Sequence, residues 1–148
     1  MDSMQKWDGK MVTRNNVDTL FQAALEARKN AYAPYSNFLV GCALKTNLSS
    51  SIFSGCNIEN ISYGATVCAE RIAIFKALSE LPKAKIKELA LVTDSASIDC
   101  PCGECLQVMS EFCESETPIY LCNLNGAQKT VFFKELMPFQ FESKKVKK

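Results

Sequence analysis

Three cysteines and a glutamate stand where a chain could hold a catalytic metal ion. Cys68 is followed two residues later by Glu70, and Cys102 and Cys105 form a Cys-x-x-Cys pair directly after Pro101. Proline favours the first turn of a helix, because the N–H that it lacks would be unpaired there. The positive end of a helix stabilises thiolate, which is the form of cysteine that binds metal. Three thiolates on Zn²⁺ leave one tetrahedral position open, as catalytic zinc sites require.

The sequence contains no histidine. Proton transfer must therefore use a carboxylate, a lysine, a tyrosine, a thiol or water bound to a metal. Glu70, beside a predicted ligand, is predicted to act as the general acid and base, although it could simply complement the positive end of a helix dipole. Arg71 is predicted to donate a hydrogen bond to a thiolate and offset the negative charge that three thiolates place on a dication. Alternatively, Arg71 is an ordinary charged residue on the surface.

Length and composition predict one domain. A chain of 148 residues with net charge +1 and 22% charged residues can bury a core of its own. We expect a single domain over residues 1–148, with loose termini at 1–15 and 142–148. The charge balance argues against general nucleic-acid binding, and no apolar run is long enough for a membrane span. The polar N-terminus lacks the apolar segment of a signal peptide, which predicts a cytoplasmic location.

The eight cysteines could form disulfides or remain reduced. Disulfide frameworks belong to small secreted chains, and this chain has no secretory signal and enough aliphatic residues for a core. We therefore expect Cys42, Cys56, Cys113 and Cys122 to be buried or free thiols. Cys100 is a fourth thiol beside the predicted ligands that could compete for zinc or oxidise.

Hydrophobic periodicity predicts a mixed α/β fold. Helices are expected at residues 17–31, 68–81 and 102–113, with a short helix or turn at 134–137. Strands are expected at 38–44, 52–58, 86–93, 119–123 and 130–133. In the first helix Arg28 lies at the edge of the apolar stripe, so its head is expected to reach water. A hairpin followed by β-α-β units implies one five-stranded mixed sheet with helices on both faces, a three-layer α/β/α sandwich.

From about residue 17 to residue 141 the chain resembles the small cytidine deaminases, whose zinc ligands are all cysteines, within the cytidine/deoxycytidylate deaminase superfamily. PYSNFLVG at 34–41 is similar to the family's Pro-Tyr-Ser-x-Phe-x-Val-Gly, and NIEN at 57–60 matches Asn-x-Glu-Asn. The resemblance implies a cytidine deaminase-like fold and one Zn²⁺ per subunit. It also implies hydrolysis of cytidine and deoxycytidine to uridine and deoxyuridine, with release of ammonia, in pyrimidine salvage.

The resemblance also implies roles for substrate-binding residues. Phe38 falls where the family stacks a phenylalanine on the pyrimidine. Asn57 and Glu59 correspond to the residues that bind the ribose hydroxyls. The backbone N–H of Ala69 corresponds to the group that holds the carbonyl of the base.

Two further matches imply assembly. Tyr63 falls where the family contributes a tyrosine to a neighbouring subunit's pocket. ELMPFQF at 135–141 resembles Glu-Leu-Leu-Pro-x-x-Phe, so Phe141 corresponds to a phenylalanine that reaches across an interface in tetrameric members. The resemblance thus implies a homotetramer with shared pockets.

The chain departs from the family at 100–107, where CPCGECLQ replaces the usual Ser-Pro-Cys-Gly-x-Cys-Arg-Gln. Leu106 removes a cation near the metal, which places more weight on Arg71, and Cys100 adds a thiol.

One alternative function keeps the fold and changes the substrate to an aminonucleoside antibiotic, a nucleotide or a base within nucleic acid. Asn57 and Glu59 favour a free nucleoside. Another alternative is a non-catalytic zinc module with Cys100 as fourth ligand.

Overall fold

A five-stranded mixed sheet with helices on both faces forms the body of the protein. The computed structural model describes residues 4–7 and 10–141. The strands are β1 (Met4–Trp7), β2 (Lys10–Thr13), β3 (Gly41–Thr46), β4 (Ile52–Cys56), β5 (Ile86–Val92), β6 (Pro118–Asn123) and β7 (Gly126–Phe132). The helices are α1 (Arg14–Arg28), α2 (Ala69–Glu80), α3 (Gly103–Phe112) and α4 (Phe133–Leu136), with a 3₁₀ turn at Tyr63–Ala65.

The large sheet has the order β4-β3-β5-β6-β7, in which β5 and β6 are parallel and the other neighbours are antiparallel. This arrangement confirms the predicted α/β fold. A parallel pair requires a crossover connection, and α3 supplies it between β5 and β6. Within the described residues, no helix is both long enough and apolar enough to cross a membrane.

Successive residues of the central strands enter opposite cores, because side chains alternate across a sheet. On one face Leu89 and Leu91 join a core shared with α2, α3 and α4. On the other face Ala90 and Val92 pack with residues of α1. The continuous apolar run of β5 thus reflects burial on both faces.

Two glycines let the helices lie directly on the sheet. A Cβ atom on Gly55 of β4 would lie 2.7 Å from the backbone nitrogen of Ala73 and 2.8 Å from the carbonyl oxygen of Ala69. A Cβ atom on Gly41 would lie 2.0 Å from the carbonyl oxygen of Ala24 in α1. Since real Cβ atoms do not approach so closely, these two positions fix how near α2 and α1 lie to the sheet.

Several element boundaries differ from the prediction. The strand predicted at 38–44 begins at Gly41, because Asn37 adopts a left-handed backbone with φ 56° that asparagine tolerates. The last strand, predicted at 130–133, begins at Gly126. The N-terminal segment at 1–15 was expected to be loose, but in its described part β1 and β2 pair as an antiparallel hairpin and α1 begins at Arg14. Residues 1–3, 8–9 and the predicted loose end at 142–148 lie outside the described residues.

Candidate active site

The starts of two helices meet beside the end of β5. Cys68 immediately precedes α2 and Cys102 immediately precedes α3, each with an extended backbone. Cys105 lies in the first turn of α3. The carboxyl end of a strand in a parallel pair is where open α/β sheets form their sites, and the crossover from β5 into α3 delivers two of the three thiols to that edge.

The three sulfur atoms are arranged as zinc requires. All three Sγ atoms lie within 4.8 Å of one another, and the Cys68 and Cys102 sulfurs are 3.8 Å apart. Tetrahedral zinc with Zn–S bonds of about 2.3 Å places its sulfur ligands roughly 3.8 Å apart. Cys105 is buried and Cys102 is exposed, so the cluster opens on one side. Among the described residues Cys100 does not belong to the converging group, so a four-sulfur structural site is not formed.

One thiol of the cluster, Cys68, favours the thiolate form even before a metal binds. The pKa of Cys68 lies below its usual value, chiefly because the Cys105 thiol hydrogen-bonds to it, with help from Arg71 and Cys102. The pKa of Cys105 is raised by that same hydrogen bond and by its burial. One proton is thus shared by the pair. Binding of a dication would displace the remaining protons, as thiolate coordination requires.

Arg71 lies beside the cluster with one donor unused. Its Nη2 is 3.7 Å from the Cys68 sulfur, donates to the Thr66 carbonyl at 3.2 Å and lies 3.1 Å from the Glu104 carboxylate. Its Nε is buried and has no hydrogen-bond partner among the described residues. An unpaired buried donor is costly, and a thiolate cluster supplies acceptors next to it. Leu106 packs against the core and adds no charge here.

Glu70 is a buried carboxylate in the first turn of α2, and its residue is only 4% exposed. The pKa of Glu70 is raised to about 7, chiefly by burial and also by the negative charge of Cys68. Its own backbone N–H, the Cys105 thiol and the positive charge of Arg71 act in the opposite direction. A dication bound beside it would lower this pKa again. A carboxyl group poised near neutral pH suits a residue that accepts a proton and returns it.

A cavity of about 260 Å³ joins these groups to the residues predicted to bind substrate. It brings together most of the predicted site, namely Phe38, Asn57, Glu59, Cys68, Ala69, Glu70 and Cys102. Val40 and Leu91 add apolar surface, and Cys100 also lines the wall. The charged side chains in this lining are all acidic: Glu59, Glu70 and Asp99.

Asn57 holds the segment that carries Phe38. Its Nδ2 donates to the Phe38 carbonyl at 2.8 Å, and its Oδ1 accepts from the Val40 N–H at 2.9 Å. The asparagine is 8% exposed, and its amide hydrogen-bonds to the backbone in the way that a neighbouring strand would. Its remaining free polar group is one N–H of the amide.

Glu59 organises the preceding turn. Its Oε2 accepts from the backbone N–H groups of Tyr35 at 2.9 Å and Ser36 at 3.2 Å, while its Oε1 accepts from the Ser36 hydroxyl. The Ser36 hydroxyl bond, together with these backbone bonds, holds the pKa of Glu59 below its usual range. Glu59 is therefore an ionised acceptor at the edge of the cavity.

Two of the predicted substrate-binding residues lie outside the cavity lining. Tyr63 is 75% exposed, and its ring meets that of Tyr35 edge to face, with centroids 6.2 Å apart. Both tyrosines line a second depression, of about 350 Å³, that shares Ser36 and Glu59 with the cavity. Phe141 is exposed and is not part of the cavity lining.

Four polar residues of the cavity wall were not predicted from the sequence: Ser36, Thr66, Thr93 and Asp99. Thr93, directly after β5, is buried, and its hydroxyl donates to the Asp99 carboxylate at 2.7 Å; both residues line the cavity. The position of Thr93 at the end of a buried strand was the available signal, since ligands bind outside the carboxyl ends of such strands.

Comparisons with known proteins agree with this geometry. The family model described as the cytidine and deoxycytidylate deaminase zinc-binding region matches residues 14–121. A cytidine deaminase of Halalkalibacterium halodurans is 46% identical over 122 residues, which cover 82% of this chain and 91% of that protein. A cytidine deaminase of Sporosarcina psychrophila is 44% identical over 126 residues, covering 85% and 91%. The crystal structure of cytidine deaminase from Burkholderia pseudomallei superposes with TM-score 0.78 at 41% identity, covering 84% of this chain and 98% of that one.

We predict that the Cys102→Ala protein loses most of its zinc, because two thiolates and water bind the ion far more weakly than three thiolates. Zinc per chain, measured by elemental analysis after dialysis, should fall from about one to a small fraction. The matched control is Cys113→Ala, which removes a half-buried thiol at the far end of α3 and should keep its zinc. Full zinc occupancy in Cys102→Ala would disprove the ligand assignment.

Proposed function

Because the chain belongs to the cytidine and deoxycytidylate deaminase family, we propose that it hydrolyses cytidine and deoxycytidine to uridine and deoxyuridine and releases ammonia. One observation carries this proposal: three thiols converge, and two of them line a cavity with an apolar wall together with a buried carboxylate. A metal site alone would fit many hydrolases. The adjoining Phe38, Asn57 and Glu59 point to a nucleoside.

Zinc, when bound to Cys68, Cys102 and Cys105, would supply the Lewis acidity that makes water a nucleophile near neutral pH. Glu70 accepts the proton that water loses and delivers it to the ring nitrogen of cytosine, where negative charge would otherwise build up. With the water oxygen now bonded to carbon 4, the same carboxyl group takes the second proton from that hydroxyl group and gives it to the leaving amine, because amide ion is too basic to depart. The carbon–nitrogen bond then breaks, ammonia leaves and the oxygen on carbon 4 becomes the carbonyl of uridine.

The remaining lining residues hold the base. The ring of Phe38 stacks on the pyrimidine. The N–H of Ala69 is among the first N–H groups of α2, which have no partner within the helix, and it donates to the carbonyl of the base. Arg71 stays behind the sulfurs and compensates their charge. Ala69 and Arg71 are both on α2, so the contact of Gly55 with that helix positions them together.

The ribose roles of Asn57 and Glu59 are supported unequally. Glu59 already accepts three bonds from Tyr35 and Ser36, which leaves about one of its four lone-pair sites for a sugar hydroxyl. Asn57 is mostly engaged with the backbone around Phe38 and has one N–H to offer. We therefore propose Glu59 as the main acceptor for the ribose, with Asn57 adding one donor and holding the segment of Phe38.

The charges of the cavity favour a nucleoside over a nucleotide or nucleic acid. Three carboxylates and no cation stand among the lining residues, and a phosphate group would be repelled. The volume of about 260 Å³ lies at the small end of ligand pockets.

We place the reaction in cytoplasmic pyrimidine salvage, where thiols stay reduced. Growth of a pyrimidine auxotroph on cytidine through this chain would support that placement, and failure to grow would contradict it.

We propose a homotetramer in which neighbouring subunits complete each pocket. The exposed Tyr63 and Phe141 support it, because large exposed aromatic side chains can mark a surface that a partner covers. The second depression beside Tyr63 gives a partner residue a route to the ribose end of the cavity.

We expect Glu70→Gln to abolish turnover while zinc and uridine still bind. The amide keeps the shape of the side chain but cannot carry protons, so kcat for ammonia release should fall by ~10⁴-fold or more. Glu80→Gln, at the exposed far end of the same helix, is the matched control and should keep parental kcat. A Glu70→Gln enzyme within about tenfold of parental kcat would refute the mechanism.

Glu59→Gln should raise KM for cytidine by ~10- to 100-fold, the usual loss for a hydrogen bond to a charged group. Inhibition by uridine, which carries the sugar, should weaken by a similar factor, whereas inhibition by uracil should not change. Equal weakening for uridine and uracil would mean that Glu59 acts through the Phe38 segment rather than on the ribose.

Light scattering should give about four times the 16.4 kDa chain mass. Phe141→Ala should lower kcat/KM, while Phe139→Ala, the matched change at a 98% exposed neighbour, should not. Mixing Phe141→Ala with Glu70→Gln subunits should restore activity, since a mixed tetramer contains sites with both residues intact. An active monomer, or no recovery on mixing, would rule out shared pockets.

A further inference from the structure

Arg28, the last residue of α1, contacts two segments that form the cavity, although it lies on the opposite face of the sheet. Its Nε donates to the carbonyl of Leu39 at 2.8 Å, and its Nη2 lies 3.1 Å from a carboxylate oxygen of Asp94. The side chain is 13% exposed. The head was expected to reach water, but most of it is buried, because it bonds to the Leu39 carbonyl and pairs with Asp94 at the surface.

The register of the sheet shows what Arg28 replaces. Antiparallel β3 and β5 pair Cys42 with Leu91 and Gly41 with Val92. Continued outward, the same register would pair residue 39 with residue 94. The ladder stops at the Gly41 pair, and among the described residues no backbone hydrogen bond joins 39 to 94. The guanidinium of Arg28 bridges these two positions where a further pair of the ladder would stand.

The two strands separate at this point to make room for substrate. Thr93 turns its N–H to the Cys122 carbonyl of β6, and its side chain lines the cavity together with Phe38 and Val40. Side chains alternate across a strand, which places Leu39 and Asp94 on the face that carries α1. Arg28 thus holds from behind the two backbones whose other face forms the cavity wall.

The segment around Leu39 is held from both edges. Asn57 bonds the backbone of Phe38 and Val40 on one side, and Arg28 bonds the carbonyl between them on the other. Gly41 makes this possible, because a Cβ atom there would lie 2.7 Å from the Cβ of Arg28. A planar guanidinium offers several donors in a fixed fork, so one side chain can fix two acceptors.

We propose that Arg28 is a positioning residue that fixes the separation of β3 and β5 where the cavity opens, and thereby sets substrate affinity. This inference rests on the proposed function for its kinetic readout. Because Arg28 does not reach the cavity lining, its loss should act on binding geometry rather than on proton transfer.

The test compares variants in the zinc-loaded enzyme. Arg28→Met keeps the apolar stem and loses both bonds, so KM for cytidine should rise ~10- to 100-fold while kcat and zinc content change little. Arg28→Lys keeps the charge on a single nitrogen and should recover part of the affinity.

Asp94→Asn removes the ion pair with Arg28 and leaves the bond to the Leu39 carbonyl. Because the Asp94 carboxylate is 41% exposed, KM should rise only about two- to fivefold. The matched control is Lys29→Met, which loses a neighbouring exposed cation of α1 paired with Glu26 and should keep parental KM.

A second readout does not depend on turnover. Amide hydrogen exchange, followed by mass spectrometry, should accelerate over 38–41 and 92–95 in Arg28→Met and remain parental over α2. Parental KM together with parental exchange in Arg28→Met would overturn the inference, as would a fall in kcat at unchanged KM. If Arg28→Met does not fold, Asp94→Asn decides, and unchanged KM there overturns the inference. A parental protein that releases no ammonia would instead refute the proposed function, and the exchange experiment would still test Arg28.

Discussion

The concentration of sulfur in one corner of the fold is the constraint on which the rest of the structure depends. Three thiols within 4.8 Å bring up to three negative charges together, and such a cluster needs positive partners close by. The starts of α2 and α3 provide them through their unpaired N–H groups, and Arg71 adds a full charge. Gly55 lets α2 lie against the sheet, so that Cys68 reaches the two cysteines that follow β5.

The same construction places the carboxylate. Cys68 precedes α2 and Glu70 is in its first turn, so the residue that binds metal and the residue that moves protons share one rigid element. Burial is the main reason why the pKa of the Glu70 carboxyl group is raised to about 7. Sites on helix starts are held more precisely than sites on free loops, and here a sheet face supports each helix.

Local patterns predicted most of the architecture. The order of elements, the sheet with helices on both faces and the convergence of Cys68, Cys102 and Cys105 follow from periodicity and from helix-start signals. Asn37 turns the chain just before the apolar run at 38–44, and the backbone at the start of that run bonds to side chains instead of to a neighbouring strand. The run itself shows neither feature, so the boundary at Gly41 could not be predicted from periodicity. Arg28 looked like an edge residue of an amphipathic helix, and its partners 11 and 66 residues away are visible only in three dimensions. The roles of Tyr63 and Phe141 stay predictions, because they depend on a neighbouring subunit.

The spacing of the ligands has a consequence for stability. Cys68 and Cys102 are 34 residues apart in the chain, so a cation held by both closes a long loop that includes all of α2 and β5. Such a closure restricts the unfolded chain in the manner of a disulfide bond, but it can be reversed by a chelator. The free energy of unfolding then depends on the concentration of free metal. Metal supply would therefore govern how long the folded chain persists as well as whether it is active.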